Sequence, residues 1–184
     1  MQSDRIKWNR KFSTEQYPTE PSDFVSKFAG TARMGIALDI AAGNGRNSLF
    51  LAQNGFSVEA LDISDVGLNK LVNRHPRVRA VCVDLDHYDL ARHRYSLILN
   101  IRYLNRRLIP QIGQALIPGG VLIYETYLMR PEFTPQRHLS PDHFLEVNEL
   151  LQEFIALDVI YYRETLTAAG DEPYPLASLV AINR

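Results

Sequence analysis

Three observations predict an α/β fold built on one seven-stranded, mostly parallel sheet. First, seven short apolar runs recur along the chain, at residues 36–40, 56–61, 78–83, 95–99, 121–124, 155–162 and 176–182. Second, stretches with helical apolar spacing fill most of the gaps among the first five runs, the alternation that buries a parallel sheet between helices. Third, the last two runs have no helix between them, so they should pair antiparallel. With 184 residues the chain suits a single domain with one core.

The first two runs frame the stretch around which the rest is arranged, GIALDIAAGNGRNSLFLAQNGFSVEALD at 35–62. Asp39 lies near the end of the first run. The small-residue turn Ala41-Ala42-Gly43-Asn44-Gly45 follows, then a helix-compatible segment at 46–53 stopped by Asn54-Gly55, then the second run ending on Asp62. Strand, glycine turn, helix, strand and acid make a unit that holds a nucleoside at the carboxyl ends of two parallel strands. Gly43 and Gly45 are expected to let the backbone approach a ligand closely. The helix that follows presents its first N–H groups. Asp62 stands 19 residues past Gly43, where an acid bonds ribose hydroxyls, so a free ribose is favoured over a 2′-phosphate. A nicotinamide site usually reads G-x-G-x-x-G; here Ser48 replaces the third glycine. The acid before the turn, Asp39, suits a ligand with a cationic amino group better than a pyrophosphate.

At these residues the chain resembles the class I S-adenosylmethionine-dependent methyltransferases, and among them the small tellurite-resistance-type enzymes. Their first motif looks like D-x-[AG]-C-G-x-G-R-N, and Asp39, Gly43, Gly45, Arg46, Asn47 and Asp62 stand at matching positions. Ala41, where many such enzymes have Gly, and Ala42, where the pattern has Cys, depart from it; both are small. The resemblance implies a Rossmann-like single domain and S-adenosylmethionine as methyl donor. It implies a donor site of Asp39, Ala41, Gly43, Gly45, Arg46, Asp62, Ile63, Asp84, Leu85 and Asn100. Asp84 would accept from the adenine amino group and the Leu85 N–H would meet a ring nitrogen.

The remaining segments extend this reading. Residues 1–20 are polar with spaced aromatics, Trp8, Phe12 and Tyr17. They form an arm that folds onto the domain or covers the donor, and Trp8-Asn9-Arg10-Lys11-Phe12 is similar to the opening of the related enzymes. The division is therefore an arm at 1–30 and a methyltransferase domain at 31–184. Ser22 is expected to cap a short helix at 23–28 and Ser64 a second helix running to about residue 74, with Leu68, Leu71 and Val72 inward. The run at 95–99 is nearly all apolar, as a central strand covered on both faces requires. Pro110 marks the first turn or a kink of the next helix, and Pro118-Gly119-Gly120 a turn into the fifth strand. Residues 144–154 read as a helix with Leu145, Leu150, Leu151 and Phe154 inward.

Methyl transfer chiefly needs donor and acceptor aligned in line with water excluded. The acceptor-side candidates are Arg102 and Tyr103, which leave the fourth strand, and Arg137 and His138 in the loop at 128–143. Glu125-Thr126-Tyr127 also leaves its strand on the ligand side. The expected acceptor is a small molecule, with a thiol or an oxyanion conceivable.

Composition narrows the classes. A net charge of −1 supplies no global field for nucleic acid or an anionic membrane. Several arginines cluster between Arg74 and Arg107, which reads as a solvated surface before it reads as an RNA-binding face. Cys82, the only cysteine, fits a reducing cytoplasm and is expected to be buried and inert. No apolar run reaches the ~18 residues of a membrane span. No P-loop, G-x-S-x-G or H-E-x-x-H pattern occurs, and no metal site is expected. The alternatives are a donor-binding sensor without catalysis, an NAD-dependent oxidoreductase and an RNA methyltransferase. Either a monomer or a homodimer is compatible with the sequence.

Overall fold

The computed structural model describes residues 2–130, 140–166 and 174–184. Its centre is a seven-stranded sheet: β1 (Ile36–Ile40), β2 (Ser57–Asp62), β3 (Val78–Cys82), β4 (Tyr95–Ile101), β5 (Leu116–Tyr127), β6 (Asp158–Leu166) and β7 (Pro175–Ile182). The spatial order is β3-β2-β1-β4-β5-β7-β6. The first five strands are parallel, and β7 inserts antiparallel between β5 and β6. The chain moves outward from β1 to β3, then returns to the other side of β1 for β4. That reversal opens a crevice at the carboxyl ends of β1 and β4, where open α/β sheets bind ligands.

Among the described residues six α-helices accompany the sheet: α1 (Gln2–Thr14), α2 (Asp23–Phe28), α3 (Arg46–Gln53), α4 (Asp65–Asn69), α5 (Ile109–Ala115) and α6 (Glu149–Glu153). Strand alternation sorts the apolar side chains into two layers. Leu38, Ile40, Ile98, Leu122 and Tyr124 pack with Ile112 of α5 and Leu150 of α6. Ala37, Leu97, Leu99, Val121 and Ile123 pack with Val25 of α2 and Leu51 of α3. Every residue of β4 is buried, which is why its sequence is almost unbroken apolar.

Some boundaries depart from the sequence reading, each for a tertiary reason. Residues 2–14 form a helix, although they lack an apolar stripe; Phe12 is the only buried side chain of that helix. α4 ends at Asn69 rather than near 74, in turns that lead to a left-handed Asn73, and this leaves Val72 53% exposed. Only Glu149–Glu153 of the stretch 144–154 is helical. Phe144 and Leu145 lie outside that helix because Leu145 bridges Leu128 beside the end of β5, its N–H bonded to the Tyr127 carbonyl at 2.9 Å. Cys82 is exposed, not buried, because β3 is the edge strand. Ser22 sits at the N-cap of α2 without a side-chain cap; its N–H donates instead to Asn47 Oδ1 at 2.9 Å. Ser64 does cap α4, Oγ accepting the Gly67 N–H at 3.0 Å. Pro118, Gly119 and Gly120 lie within β5, where the pairing with β4 shifts register, rather than in a turn before it.

Candidate functional site

The end of β1 carries an acid with little water around it. Asp39 is 2% exposed, and Ser48 Oγ of α3 donates to its Oδ2 at 2.6 Å. Burial pushes this carboxyl up to about 7; the Asp62 charge adds to the rise, and the Ser48 bond and Arg46 oppose it. Beyond β1, Ala41, Gly43 and Gly45 all have left-handed backbone, with φ of +54°, +59° and +76°. Alanine there carries the steric cost that glycine avoids. The glycines turn out to make room for protein. A Cβ on Gly43 would come within 3.0 Å of Phe12 Cζ, and one on Gly45 within 2.1 Å of Leu71 Cδ2. A side chain at either position would therefore meet α1 or the segment after α4.

The polar residues of the turn hold the preceding segment. Asn44 Nδ2 donates to the Pro18 carbonyl at 2.8 Å, Arg46 Nη1 to the Glu20 carbonyl at 3.2 Å, and Asn47 receives the Ser22 N–H.

Asp62, at the end of β2 and 6% exposed, organises the second half. Its Oδ2 accepts the Gly43 N–H and its Oδ1 the Ser64 N–H, both at 2.8 Å. Burial raises its pKa and these backbone bonds oppose the rise. A carboxylate has about four lone-pair sites, so these backbone bonds leave capacity for a ligand's hydroxyl. Ser64 Oγ also donates to Asn9 Oδ1 at 2.7 Å, and Asn9 Nδ2 donates to Asp65 Oδ1 at 2.6 Å, which ties α1 to the start of α4. Ile63 is partly buried, and its carbonyl accepts from Cys82 Sγ at 3.4 Å.

After β3, Asp84 Oδ1 accepts the Asp86 N–H at 3.0 Å. Leu85 is buried, and its carbonyl is held by Arg107 Nη2 at 3.0 Å. Tyr103 belongs to this side: Asn105 Nδ2 bridges its hydroxyl, at 3.3 Å, to Asp86 Oδ1, at 2.9 Å. Burial pushes the phenol up to about 12, with the charges of Asp86, Asp84 and Asp62 adding to it. Asn100, 1% exposed, lies opposite Ile40 in the register of β1 and β4. Its Oδ1 has no hydrogen-bond partner among the described residues.

Arg102 stands apart from Tyr103. Its φ is +62°, and its N–H donates to the Glu125 carbonyl at 2.7 Å. The guanidinium carbon lies 5.5 Å from the Tyr127 ring centroid and 5.1 Å from that of Tyr174. Nη2 is 3.4 Å from Glu125 Oε1, whose other oxygen accepts from Ser178 Oγ at 2.7 Å. His138 and Arg137 lie outside the described residues.

Several of these residues escaped the sequence reading. In the sequence Ser48 is legible only as the residue that replaces a third glycine, and Asn9 only within the aromatic arm. Tyr174 and Ser178 come from the antiparallel end of the chain and carry no motif. Of the arginines at 74–107, Arg79 and Arg94 pair with Glu59, Arg106 with Glu149 and Arg107 with Asp89. Among the described residues, no cluster of three or more His, Cys, Asp or Glu could hold a metal ion, and no helix is long and apolar enough to cross a membrane.

The sheet order and the crevice at the ends of β1, β2 and β4 define a class I methyltransferase fold. Residues 37–120 match a family described as a methyltransferase domain. Among solved structures the chain is similar to TehB from Haemophilus influenzae, of the tellurite-resistance type, with TM-score 0.72 and 17% identity over 98% of this chain and 67% of that one. It is also similar to geranyl diphosphate C-methyltransferase from Streptomyces coelicolor A3(2), which was solved with Mg2+, geranyl diphosphate and S-adenosylhomocysteine. That match has TM-score 0.71 and 11% identity over 98% of this chain and 97% of that one. An S-adenosylmethionine-dependent methyltransferase from Mesorhizobium loti matches with TM-score 0.67 and 18% identity over 86% and 95% of the two chains. No curated protein sequence matches the chain.

Proposed function

We propose that this protein is an S-adenosylmethionine-dependent methyltransferase acting on a small-molecule acceptor. The observation that carries the reading is the pair of buried acids at the ends of adjacent parallel strands. Asp39 and Asp62 are both held above the usual carboxylate range by burial. Two such acids favour a ligand that brings positive charge and hydroxyl donors, and a nucleoside with an amino-acid tail and a sulfonium brings both. Asn100 Oδ1, a buried acceptor lacking a partner among the described residues, fits an ammonium group at the switch between β1 and β4.

When bound, S-adenosylmethionine supplies an electrophilic methyl group on a cationic sulfur. The chain's own residues bind and orient. Asp62 would take the ribose hydroxyls with its remaining lone pairs, and Asp84 and Leu85 the adenine edge. Tyr103, beside Asp84 and Asp86, would line the base rather than the acceptor. Asp39 would offset the donor's positive charge from beneath the turn, and Gly43, Gly45 and Ile63 would shape the main-chain wall. Arg102 remains on the acceptor side, and His138 is kept as a further candidate there.

Calorimetric titration tests the reading. Both S-adenosylmethionine and S-adenosylhomocysteine should give saturable heats, and NADH none. A flat trace with both adenosyl ligands overturns the proposal, and NADH binding would return the oxidoreductase reading. Donor binding without S-adenosylhomocysteine formation across a broad acceptor panel would leave a sensor.

A further inference from the structure

The ends of β4, β5 and β7 carry a cation that the fold holds in place without fully neutralising. Arg102 adopts left-handed backbone, which is costly for a long side chain, immediately after the carboxyl end of β4. Its guanidinium is fixed by two tyrosine rings whose centroids are 5.4 Å apart. The one acid it meets among the described residues, Glu125, is 3.4 Å from Nη2 and is also engaged by Ser178. Nη1 is buried and has no hydrogen-bond partner among the described residues. A buried, unpaired donor on a charged group is costly, and native proteins keep few of them. A second cation lies within electrostatic reach. Burial, and after it the positive charge of Arg102, holds Arg46 below the usual arginine range. The two guanidiniums thus sense each other's charge.

We propose that the methyl acceptor is an anion, bearing a carboxylate, phosphate or related oxyanion group that Arg102 binds through its buried Nη1 edge while Tyr127 and Tyr174 fix the guanidinium plane. This rests on the methyltransferase reading and names the acceptor's chemical class. The planar fork of a guanidinium suits paired oxygens, and its stacking on aromatic rings sets the direction from which an oxygen can approach. Arg46, at the glycine turn, already donates from Nη1 to the Glu20 carbonyl, which leaves Arg102 as the cation with a buried donor unpaired among the described residues. The Glu125 carboxylate then acts as an internal placeholder that an incoming anion displaces or joins.

The test uses the intact protein saturated with S-adenosylhomocysteine and titrated with benzoate, inorganic phosphate or the neutral isostere benzamide. The expected result is salt-sensitive binding of benzoate or phosphate and none of benzamide. The preferred anion distinguishes a carboxylate acceptor from a phosphorylated one. Arg102→Gln should weaken that anion at least 10-fold, a much larger effect than on S-adenosylhomocysteine. Arg102→Lys should fall between, since it keeps charge without the fork. Glu125→Gln, which removes the internal competitor, should tighten the anion several-fold; a purely structural ion pair would show no such gain. Benzamide binding as well as benzoate, or anion affinity unmoved by both Arg102→Gln and Glu125→Gln, overturns the inference alone. Failure of S-adenosylhomocysteine itself to bind overturns the methyltransferase reading and this inference with it.

Discussion

The two halves of the crevice are built in opposite ways. On the β1–β2 side the buried charges are two acids tied mainly to the local chain: Asp62 takes N–H groups from Gly43 and Ser64, and Asp39 takes a hydroxyl nine residues away. On the β4–β5–β7 side the charge is basic and held by side chains distant in sequence, Glu125, Tyr127 and Tyr174 around Arg102. Under the proposed function the acidic wall meets the donor and the basic wall the acceptor. The contrast also explains why a short motif specifies the first wall and none specifies the second.

The contrast can be broken by experiment, beginning with the largest expected effect. Gly45→Ala sets a Cβ 2.1 Å from Leu71 Cδ2 at a φ of +76°. It should cost about 2–5 kcal/mol in denaturant unfolding, from left-handed strain plus overpacking. Adding Leu71→Ala should recover the overpacking part, visible as a coupling of about 1 kcal/mol or more in a double-mutant cycle. Full additivity would mean that the turn does not bear on Leu71. Asp62→Ala should weaken S-adenosylmethionine about 10-fold or more by calorimetry, from lost charge-assisted bonds of about 1.5–3 kcal/mol. Wild-type affinity in that variant would remove Asp62 from the ribose.

A pH experiment sharpens the acidic wall further. Asp39 has a folded pKa of about 7 against an ordinary 3.8, so the native state binds its proton more tightly than the unfolded state does. Its contribution to stability is therefore present at low pH and lost as pH rises from about 4 to about 7. Asp39→Asn should abolish that loss and raise Tm at pH 8. A cationic ligand selects the ionised acid, so wild-type donor affinity should climb through about pH 7, while Asp39→Asn stays flatter and weaker. Parallel pH profiles for the two proteins would show that Asp39 does not sense the donor. The smallest effect belongs to Ala41→Gly, which relieves a non-glycine residue at φ +54° and should stabilise the fold by about 1 kcal/mol.

Much of this was legible because periodicity and turn chemistry are local properties. The bounds of β1, α2 and α3 follow from apolar runs and their stop signals, and the antiparallel pairing of β6 with β7 follows from two strands without a helix between them. What escaped was decided by neighbours. Cys82 sits in an apolar run, but only the sheet order puts that run at an edge. Leu145 reads as part of a helix with Leu150, Leu151 and Phe154, yet its N–H is taken by the Tyr127 carbonyl. Tyr103 and Arg102 are adjacent in sequence, yet one joins Asn105 and Asp86 while the other turns to Tyr127 and Tyr174. A left-handed residue at the strand exit, which no spacing rule announces, accompanies that parting.

The docking of α1 on the glycine turn has a practical consequence. Trp8 is the chain's one tryptophan, and its ring centroid is 6.0 Å from that of Phe12, which rests against Gly43. Lys7 and Lys11 lie over the same indole, at 5.8 and 5.2 Å. The molecule therefore carries its own fluorophore one residue removed from the bend, and a change in emission on ligand addition would read out events there without any label.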